Sequence, residues 1–313
     1  MIKFLARRLL SGVVLILVIT TLAYALIYSS AGNAARNILG ENATAEDVAA
    51  KARELGLDRP LHEQYFDWFS RAIGGDLGVS WFTSEPISAI LANRLPVTLS
   101  MVILAVVVTA IISAVLGVTA AVRGGWLDRL LQVVSVIGFS LPNFWVALVL
   151  VVLLAVTVPI FPATGYVPAS ESLSGWFLAL ILPVTALVLG GIASAAQQIR
   201  GAVIDVLDMD YVRTLRARGL GSSSVLLRHV LRNAAPPALT VLSLQFIALL
   251  GGAVVIERVF AIPGMGTLTI NSSFQGDVPA LMGVVVALVI LVVIVNLVID
   301  LANGWINPKA RLQ

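Results

Sequence analysis

The sequence predicts an all-α integral membrane protein with six transmembrane helices. Of its 313 residues, 59% are hydrophobic and only 12% are charged, whereas an ordinary globular domain has roughly 25% charged residues. Long apolar runs recur along the chain, and each is long enough to cross about 30 Å of hydrocarbon as a helix. The chain has no cysteine, which excludes disulfides, thiolate metal ligands and thiol catalysis.

The first apolar run, residues 9–28, follows Lys3, Arg7 and Arg8. A cleaved signal peptide is the alternative interpretation, but its apolar core normally has about 7–15 residues. The run here is longer, and no small-residue cleavage site follows it. We therefore expect residues 1–28 to form a cytoplasmic N-terminus and an uncleaved first span.

Residues 29–95 differ from the rest of the chain because they contain nine acidic and six basic residues. They predict a helical extracytoplasmic insertion between spans one and two. Thr44 and Asp47 have the spacing of a helix N-cap, and Gly56 suits the end of that helix. The amphipathic stretch 61–73 predicts a second helix. Its apolar face lies at the membrane interface, packs on a partner, or packs on the membrane domain of the same chain.

Residues 96–313 are predicted to form a core of five further spans. Their apolar runs are residues 97–122, 130–158, 176–196, 238–256 and 280–301. Pro142 interrupts the third span within the sequence SLPNF. A proline inside a span frees a backbone carbonyl, so this position is either a kink that shapes packing or a break beside a water-filled cavity.

The distribution of basic residues predicts the orientation of the spans. Thirteen of the 20 Lys and Arg residues lie in segments that this topology places inside, and six of the other seven lie in the insertion. Only Arg258 lies in a short outer loop, so the positive-inside rule places both termini in the cytoplasm. Because the net charge of +3 follows from this topology, we expect no nucleic-acid partner.

The chain lacks the motifs that would give it chemistry of its own. It has no G-x-x-x-x-G-K-[ST], G-x-S-x-G or H-E-x-x-H pattern, and its two histidines are far apart. We therefore expect no catalytic residue and no metal site. Carboxylates are nearly absent from the interiors of the spans, although ion-coupled carriers usually place them there. The pattern favours a pathway powered from elsewhere. An autonomous channel or secondary carrier is the alternative, and a membrane enzyme is a third.

A polar segment between spans four and five, residues 209–237, is the place where an energy source could attach. It contains five arginines: Arg213, Arg216, Arg218, Arg228 and Arg232. The pattern predicts a helix from Tyr211 to Arg218, with a left-handed stop at Gly219 or Gly221. Ser222 is a candidate N-cap for a second helix, which would end near Asn233, before Pro236.

Two short helices exposed in this way could occupy a groove on a soluble partner. Leu215, Leu220 and Leu227 are the candidate anchors for such docking. The alternative is that the arginines only satisfy the positive-inside rule and contact lipid headgroups. The residues alone leave both interpretations open.

The segment resembles the cytoplasmic EAA loop of ABC importer permeases, in the form found in the dipeptide/oligopeptide permease family. The resemblance is carried by DYVRTLRARGL and LLRHVLRNAAPP, although Arg213, Thr214 and Leu215 stand where a literal Glu-Ala-Ala would be. Further matching stretches follow in order along nearly the whole chain: ARRLL, LGLDRPLHEQY, GDLGVS, RLPVTL, SLPNFW, FPATGY and GGAVVIERVFAIPGMG.

The resemblance implies the type I ABC importer permease fold and a non-catalytic subunit in a prokaryotic plasma (inner) membrane. It implies that this chain binds no cofactor and that ATP and Mg²⁺ are bound by two ABC ATPase subunits. The other implied partners are a second homologous permease subunit, an extracytoplasmic peptide-binding protein and membrane lipid. The residues implied to dock on the ATPase are Asp210, Tyr211, Arg213, Thr214, Arg216, Ala217, Arg218, Gly219 and Leu220.

The resemblance also implies the substrate class. Its members carry dipeptides and oligopeptides, while similar permeases carry nickel, glutathione or oligosaccharides. Four polar residues in the spans are candidates to line a pathway: Ser140, Asn143, Gln245 and Asn296. Each could equally be satisfied between packed helices.

Overall fold

A computed structural model describes residues 2–30 and 34–306, and these residues form an all-α protein. The described part of the chain contains no β-strand, and Val79 and Pro86 form an isolated antiparallel bridge. This confirms the predicted fold class.

The helices follow one another with short connections. Before the third span they are α1 (Ile2–Ser30), α2 (Ala34–Leu39), α3 (Ala45–Glu54), α4 (Leu61–Ile73) and α5 (Ile87–Arg123). The middle of the chain forms α6 (Gly125–Ser140), α7 (Asn143–Val151), α8 (Leu173–Leu207), α9 (Asp210–Ala217) and the single turn α10 (Ser222–Ser224). The last helices are α11 (Leu231–Val259), α12 (Met265–Gln275) and α13 (Val278–Ile306). Two π-helical turns, Val152–Thr157 and Val225–Val230, continue α7 and join α10 to α11.

Five helical stretches of the described chain are long and apolar enough to cross a membrane. They are Ala6–Tyr28, Ile87–Arg123, Leu173–Leu207, Ser222–Val259 and Val278–Ile306. A sixth is obtained if α6 and the stretch Asn143–Thr157 count as one broken span. This agrees with the six spans predicted from the sequence.

The third span is broken rather than kinked. α6 and the following stretch meet at 90° across Leu141 and Pro142. Pro142 has an extended backbone and precedes the first residue of α7. The ring of a proline excludes a backbone hydrogen bond to the preceding turn, and the residue before it avoids the α conformation. Here both effects act at once and produce two separate helices.

One compact unit of the fold contains the described residues up to Thr98 together with Pro263–Ile294. In this unit the apolar face of α4 packs inward, because Trp68 is buried with Tyr24, Val278 and Met282. Tyr65, Phe69 and Ala72 border the same cluster. Of the positions that the sequence left open for this face, the structure therefore selects packing on the membrane domain of the same chain.

The predicted start of α3 is confirmed in detail. The Thr44 hydroxyl accepts a hydrogen bond from the backbone N–H of Asp47, and the Asp47 carboxylate accepts one from the N–H of Thr44. This reciprocal capping satisfies two backbone donors that the helix itself cannot pair. Arg59 pairs with Asp67 at 2.6 Å near the start of α4, and this hydrogen bond raises the pKa of the Arg59 guanidinium.

A buried carboxylate joins distant parts of the same unit. Asp277 accepts hydrogen bonds from the Ser80 hydroxyl at 2.5 Å and from the backbone N–H of Trp81 at 3.3 Å. It also accepts a weak bond from the N–H of Ala280 in the first turn of α13. Such charge-assisted bonds to a carboxylate are roughly twice as strong as neutral ones. Asp277 therefore fastens residues 80–81 to the start of the last span.

The second compact unit contains Leu99–Ile262 and the described residues from Val295 onward. Its central helix is α8, which packs against α6, α7 and α11. The buried face of α8 is rich in small residues, among them Ala186, Gly191, Ala193, Ala195 and Ala196. Small residues let helix backbones approach closely, which drives helix association where lipid gives no hydrophobic gain.

Several boundaries differ from the sequence prediction. α5 begins at Ile87 and runs through Pro96, so the helix starts about three turns before the predicted span. The second helix of the basic segment does not stop before Pro236, because α11 continues through Pro236 and Pro237. Prolines are tolerated within membrane helices because neighbouring groups can satisfy the freed carbonyls. The carbonyls freed here are those of Arg232 and Asn233, four residues before each proline.

Candidate functional site

The basic segment, residues 209–237, folds into α9, a tight turn, and the helical stretch that leads into α11. Every residue proposed for docking lies in α9 or in the turn after it. Six of these nine residues have helical positions in α9: Asp210, Tyr211, Arg213, Thr214, Arg216 and Ala217. The structure therefore brings the predicted docking residues together on one short element.

One face of α9 is anchored in a hydrophobic cluster. Val212 is fully buried, and it packs with Val206, Val225, Val230 and Ala234. Burying a valine side chain stabilises the fold by about 1.5–3 kcal/mol. Because these residues come from α8, the π-helical turn and α11, α9 is fixed to the ends of two spans.

Two of the three leucines that were expected to anchor a partner pack against this cluster of the same chain instead. Leu215 and Leu220 are half-buried and pack against it. Leu227 has 65% of its surface exposed. The helical period places Leu215 on the same face as Val212, which explains why it turns inward.

A hydrogen bond closes the segment on its polar side. The side-chain amide of Asn233 donates to the Tyr211 hydroxyl at 2.9 Å. It also donates to the carbonyl of His229 within its own helix, at the same distance. Tyr211 is thereby tied from α9 to the beginning of the fifth span.

The turn after α9 requires a left-handed residue, as the sequence predicted. Gly219 has a φ of +82°, whereas Gly221 has a φ of −62°. The N–H of Gly219 donates to the carbonyl of Arg216, and the N–H of Leu220 donates to the carbonyl of Leu215. These two bonds form a Schellman motif, in which glycine is strongly preferred at the left-handed position.

The outer face of α9 is cationic and open. Arg213, Arg216 and Arg218 are all exposed. Arg213 approaches Asp210 at 3.7 Å, and both side chains are solvent-facing, so this pair contributes little to stability. Arg216 and Arg218 form no ion pair within the described chain. The segment therefore combines a rigid apolar attachment with a free positive surface.

A second charged contact lies between the third and fourth spans. The guanidinium of Arg200 on α8 binds both carboxylate oxygens of Asp128 on α6, and the bond from Nη2 to Oδ2 measures 2.7 Å. The two side chains are 23% and 17% exposed. A bidentate arginine–carboxylate pair fixes geometry as well as adding energy. No local sequence signal identifies this pair, because its members are 72 residues apart.

The four polar residues proposed to line a pathway have different surroundings. Ser140 donates its hydroxyl to the carbonyl of Val136 in its own helix. Asn296 accepts a 2.5 Å hydrogen bond from Ser243. Asn143 and Gln245 instead lie beside the Gly190–Gly191 pair of α8. Thr109, which the sequence prediction missed, lies beside Gly191.

The described residues offer no metal centre. No three His, Cys, Asp or Glu side chains among residues 2–30 and 34–306 lie close enough to hold a metal ion.

Comparison with known families defines the class of this protein. Residues 113–312 match the family described as binding-protein-dependent transport system inner membrane component. Residues 1–102 match the N-terminal family of the same membrane components. The chain belongs to this family of ABC importer permease components, which confirms the resemblance seen in the sequence.

Individual relatives align over nearly their whole length. A protein of Brucella abortus (strain 2308), whose name describes a peptide transport system permease, is 37% identical over 306 residues. That alignment covers 97% of this chain and 98% of the relative. The glutathione transport system permease protein GsiC of Escherichia coli (strain K12) is 33% identical over 314 residues, with all of both chains covered.

A solved structure confirms the fold. A chain of the inward-facing MetNI methionine ABC transporter superimposes with a TM-score of 0.58 and 19% identity. The match covers 72% of this chain and all of that chain. The chain therefore has the type I ABC importer permease fold.

Proposed function

We propose that this chain is the non-catalytic permease subunit of an ATP-driven importer for peptides, coupled to its ATPase partners through α9. The observation that carries this proposal is the construction of α9 itself. One face of α9 is exposed and cationic, and the opposite face is anchored by the fully buried Val212. The helix ends in the left-handed turn at Gly219. A short helix of this kind suits docking in a groove of a soluble protein.

The attachments of α9 give a route for coupling. When two ATPase subunits close on ATP and Mg²⁺, they push on the exposed face of α9. Val212 passes the displacement to the ends of α8 and α11, and the bond between Tyr211 and Asn233 restrains the two helices in register. Packed elements move as rigid bodies rather than deforming continuously, so α8 and α11 respond together.

The proposed orientation places residues 209–237 and both termini in the cytoplasm of a prokaryotic cell. It places the insertion, residues 29–95, on the opposite side, where it receives a solute-binding protein. The distribution of arginine and lysine supports this orientation. A second homologous permease subunit and two ATPase subunits complete the proposed assembly.

Peptides are the proposed substrates because relatives at 36–37% identity are named as peptide permeases. Glutathione is itself a tripeptide, and the similarity to GsiC makes it the next candidate. Nickel and oligosaccharides are the remaining alternatives within the same importer type. Nickel is the least supported of these, since the described residues gather no cluster of metal ligands.

Reconstitution in liposomes tests the proposal against an autonomous channel or secondary carrier. The complete complex, supplied with its binding protein and ATP, is expected to accumulate labelled peptide. The chain alone, without ATP and under a proton or sodium gradient, is expected to accumulate none. Uptake by the chain alone would contradict the proposal, as would uptake by the complex that is independent of ATP.

A further inference from the structure

Three polar side chains and two glycines of the second unit lie close together. We call Thr109, Asn143, Gly190, Gly191 and Gln245 the amide patch. Gly190 is the central residue of α8, and Gln245 is the central residue of α11. Asn143 begins α7 at the 90° break of the third span. The patch therefore lies where a broken helix meets the middles of two long ones.

The glycines make room for the two carboxamides. A Cβ atom on Gly191 would collide with Nε2 of Gln245 and would lie 3.6 Å from the hydroxyl oxygen of Thr109. A Cβ on Gly190 would lie 3.6 Å from Oδ1 of Asn143, and a Cβ on Gly252 would lie 3.5 Å from Nδ2 of Asn143. The side chain of Asn143 thus lies between the backbones of α8 and α11, and that of Gln245 lies on α8.

The polar side-chain atoms of the patch have no hydrogen-bond partners within the described chain. The hydroxyl of Thr109 is fully buried and makes no hydrogen bond. The side chains of Asn143 and Gln245 are half-buried, and neither forms a side-chain hydrogen bond with a described residue. A buried polar group without a hydrogen-bond partner lowers the stability of the fold, and most buried polar groups in folded proteins are therefore paired.

Neighbouring polar residues show what a purely structural role looks like. Ser135 donates to the carbonyl of Ala193, and Ser243 donates to Asn296. Both are buried and both are satisfied inside the bundle. The amide patch differs because its donors and acceptors remain available and two of its side chains remain partly open.

Hydrocarbon cannot be the neighbour of this open side. Lipid tails offer no hydrogen bond, so polar groups in the middle of a span face a protein interior or a water-filled cavity. Irregular backbone at membrane depth, such as the break before Asn143, is subject to the same restriction. The open side therefore faces either a neighbouring subunit or an aqueous path, and only the second leaves these hydrogen-bonding groups free for a ligand.

We propose that the amide patch is a transient binding site for the backbone of the substrate peptide during its passage. This proposal rests on the peptide importer function proposed above. A carboxamide both donates and accepts hydrogen bonds, as a peptide group does, so Asn143 and Gln245 complement the backbone whatever its side chains. The site holds no charge, and a site of few neutral bonds binds weakly enough to release its ligand.

Single-cysteine labelling tests whether the patch faces water. Because the chain has no native cysteine, N143C and Q245C each introduce one thiol. In the complete importer in liposomes, a small hydrophilic maleimide is expected to label both at least tenfold faster than two controls. One control is V133C, at an apolar position that is 58% exposed. The other is S135C, at a buried and satisfied position. A thiol reacts as the thiolate and needs water.

Trialanine serves as the probe of peptide binding. With binding protein and ATP present, trialanine is expected to slow the labelling of N143C and Q245C several-fold and to leave V133C unchanged. Labelling of both patch cysteines no faster than that of V133C would overturn the proposal. Fast labelling that trialanine does not slow, in a complex that does transport trialanine, would also overturn it.

Apolar substitutions give a second, functional measurement. Asn143→Leu and Gln245→Leu are each expected to lower the number of trialanine molecules moved per ATP about fivefold, while the binding protein still stimulates ATP hydrolysis. An unchanged ratio in both assembled variants would contradict a role in binding. If the unsubstituted complex moves no trialanine in the presence of ATP, the proposed peptide function is contradicted. Slow labelling of the patch cysteines, in contrast, contradicts only the proposed binding site.

Discussion

At the scale of single residues, the conformation of Gly219 is the most specific feature of the basic segment. Its φ of +82° lies in the region where an L residue with a Cβ costs about 1–2 kcal/mol. No atom lies within 4 Å of the position that a Cβ would take. A substitution there is therefore limited by backbone conformation and not by space.

The pair Gly219→Val and Gly221→Val turns this observation into a prediction. Gly221 also has open space around it, but its φ is −62°, which valine adopts readily. We expect Gly219→Val to lower ATP-driven uptake per ATP hydrolysed at least fivefold and Gly221→Val to lower it less than twofold. Asn tolerates the left-handed region, so Gly219→Asn should lie between them. Equal effects of the two valine variants would show that the turn is not the coupling element.

Loss of the hydrogen bond between Tyr211 and Asn233 is expected to lower uptake per ATP less than Gly219→Val does. Tyr211→Phe removes the acceptor of the 2.9 Å bond, and such a bond contributes about 0.5–1.5 kcal/mol net. We expect uptake per ATP to fall about twofold. Asn233→Ala should give a similar loss, and the double variant should be no worse than either single one. Additive losses would mean that the two side chains act separately.

At the scale of helices, the ion pair between α6 and α8 joins the third span to the fourth. Arg200→Met would leave the part-buried Asp128 carboxylate without its guanidinium, which costs about 1–3 kcal/mol. We expect a clearly lower melting temperature for the purified complex. Adding Asp128→Asn to Arg200→Met should recover part of the loss, because the unpaired charge is removed.

The exposed pair of Lys51 and Glu54 is the matched control for this measurement. Its nitrogen and oxygen lie 2.8 Å apart, but the Glu54 side chain is 66% exposed, so Glu54→Ala should cost only roughly 0–1 kcal/mol. A melting temperature for Arg200→Met equal to that of Glu54→Ala would contradict the role of the buried pair.

Local sequence signals predicted elements whose cause is local. The capping residues Thr44 and Asp47 identified α3, the periodicity of 61–73 identified α4, and a glycine in an arginine-rich segment identified the turn at Gly219. The helix α12 lies within residues 257–279, which the sequence predicts as an outer loop between the fifth and sixth spans, although Met265, Leu268 and Ser272 have helical spacing.

Contacts between distant residues could not be predicted in this way. The attachment of α9 depends on valines from α8 and the π-helical turn and on Ala234 of α11. The pairing of Asp128 with Arg200 depends on how α6 packs on α8. The passage of α11 through Pro236 and Pro237 likewise depends on its surroundings and not on propensity. For the same reason the sequence indicated the polar residues of the spans but not which of them meet.

At the scale of the whole molecule, the proposed orientation is directly testable by labelling in membranes. A217C lies in α9, and S70C lies on the exposed side of α4 in the insertion. With this chain produced without its ATPase partners, which would cover α9, an impermeant thiol reagent is expected to label S70C in spheroplasts and A217C only in inside-out vesicles. Labelling of both from the same side would contradict the six-span topology.

The bonds of Asp277 impose an order of assembly during synthesis. They join it to Ser80 and Trp81, and the unit that contains all three is built from the beginning of the chain and a later segment, Pro263–Ile294. The ribosome must make Leu99–Ile262, the larger part of the other unit, between these two parts. At about 5–20 residues per second, the 197 residues that separate Ser80 from Asp277 take roughly 10–40 s. During that interval Ser80 and Trp81 lack the hydrogen-bond acceptor that Asp277 later supplies. Their donor groups are then accessible to a chaperone or a membrane insertase.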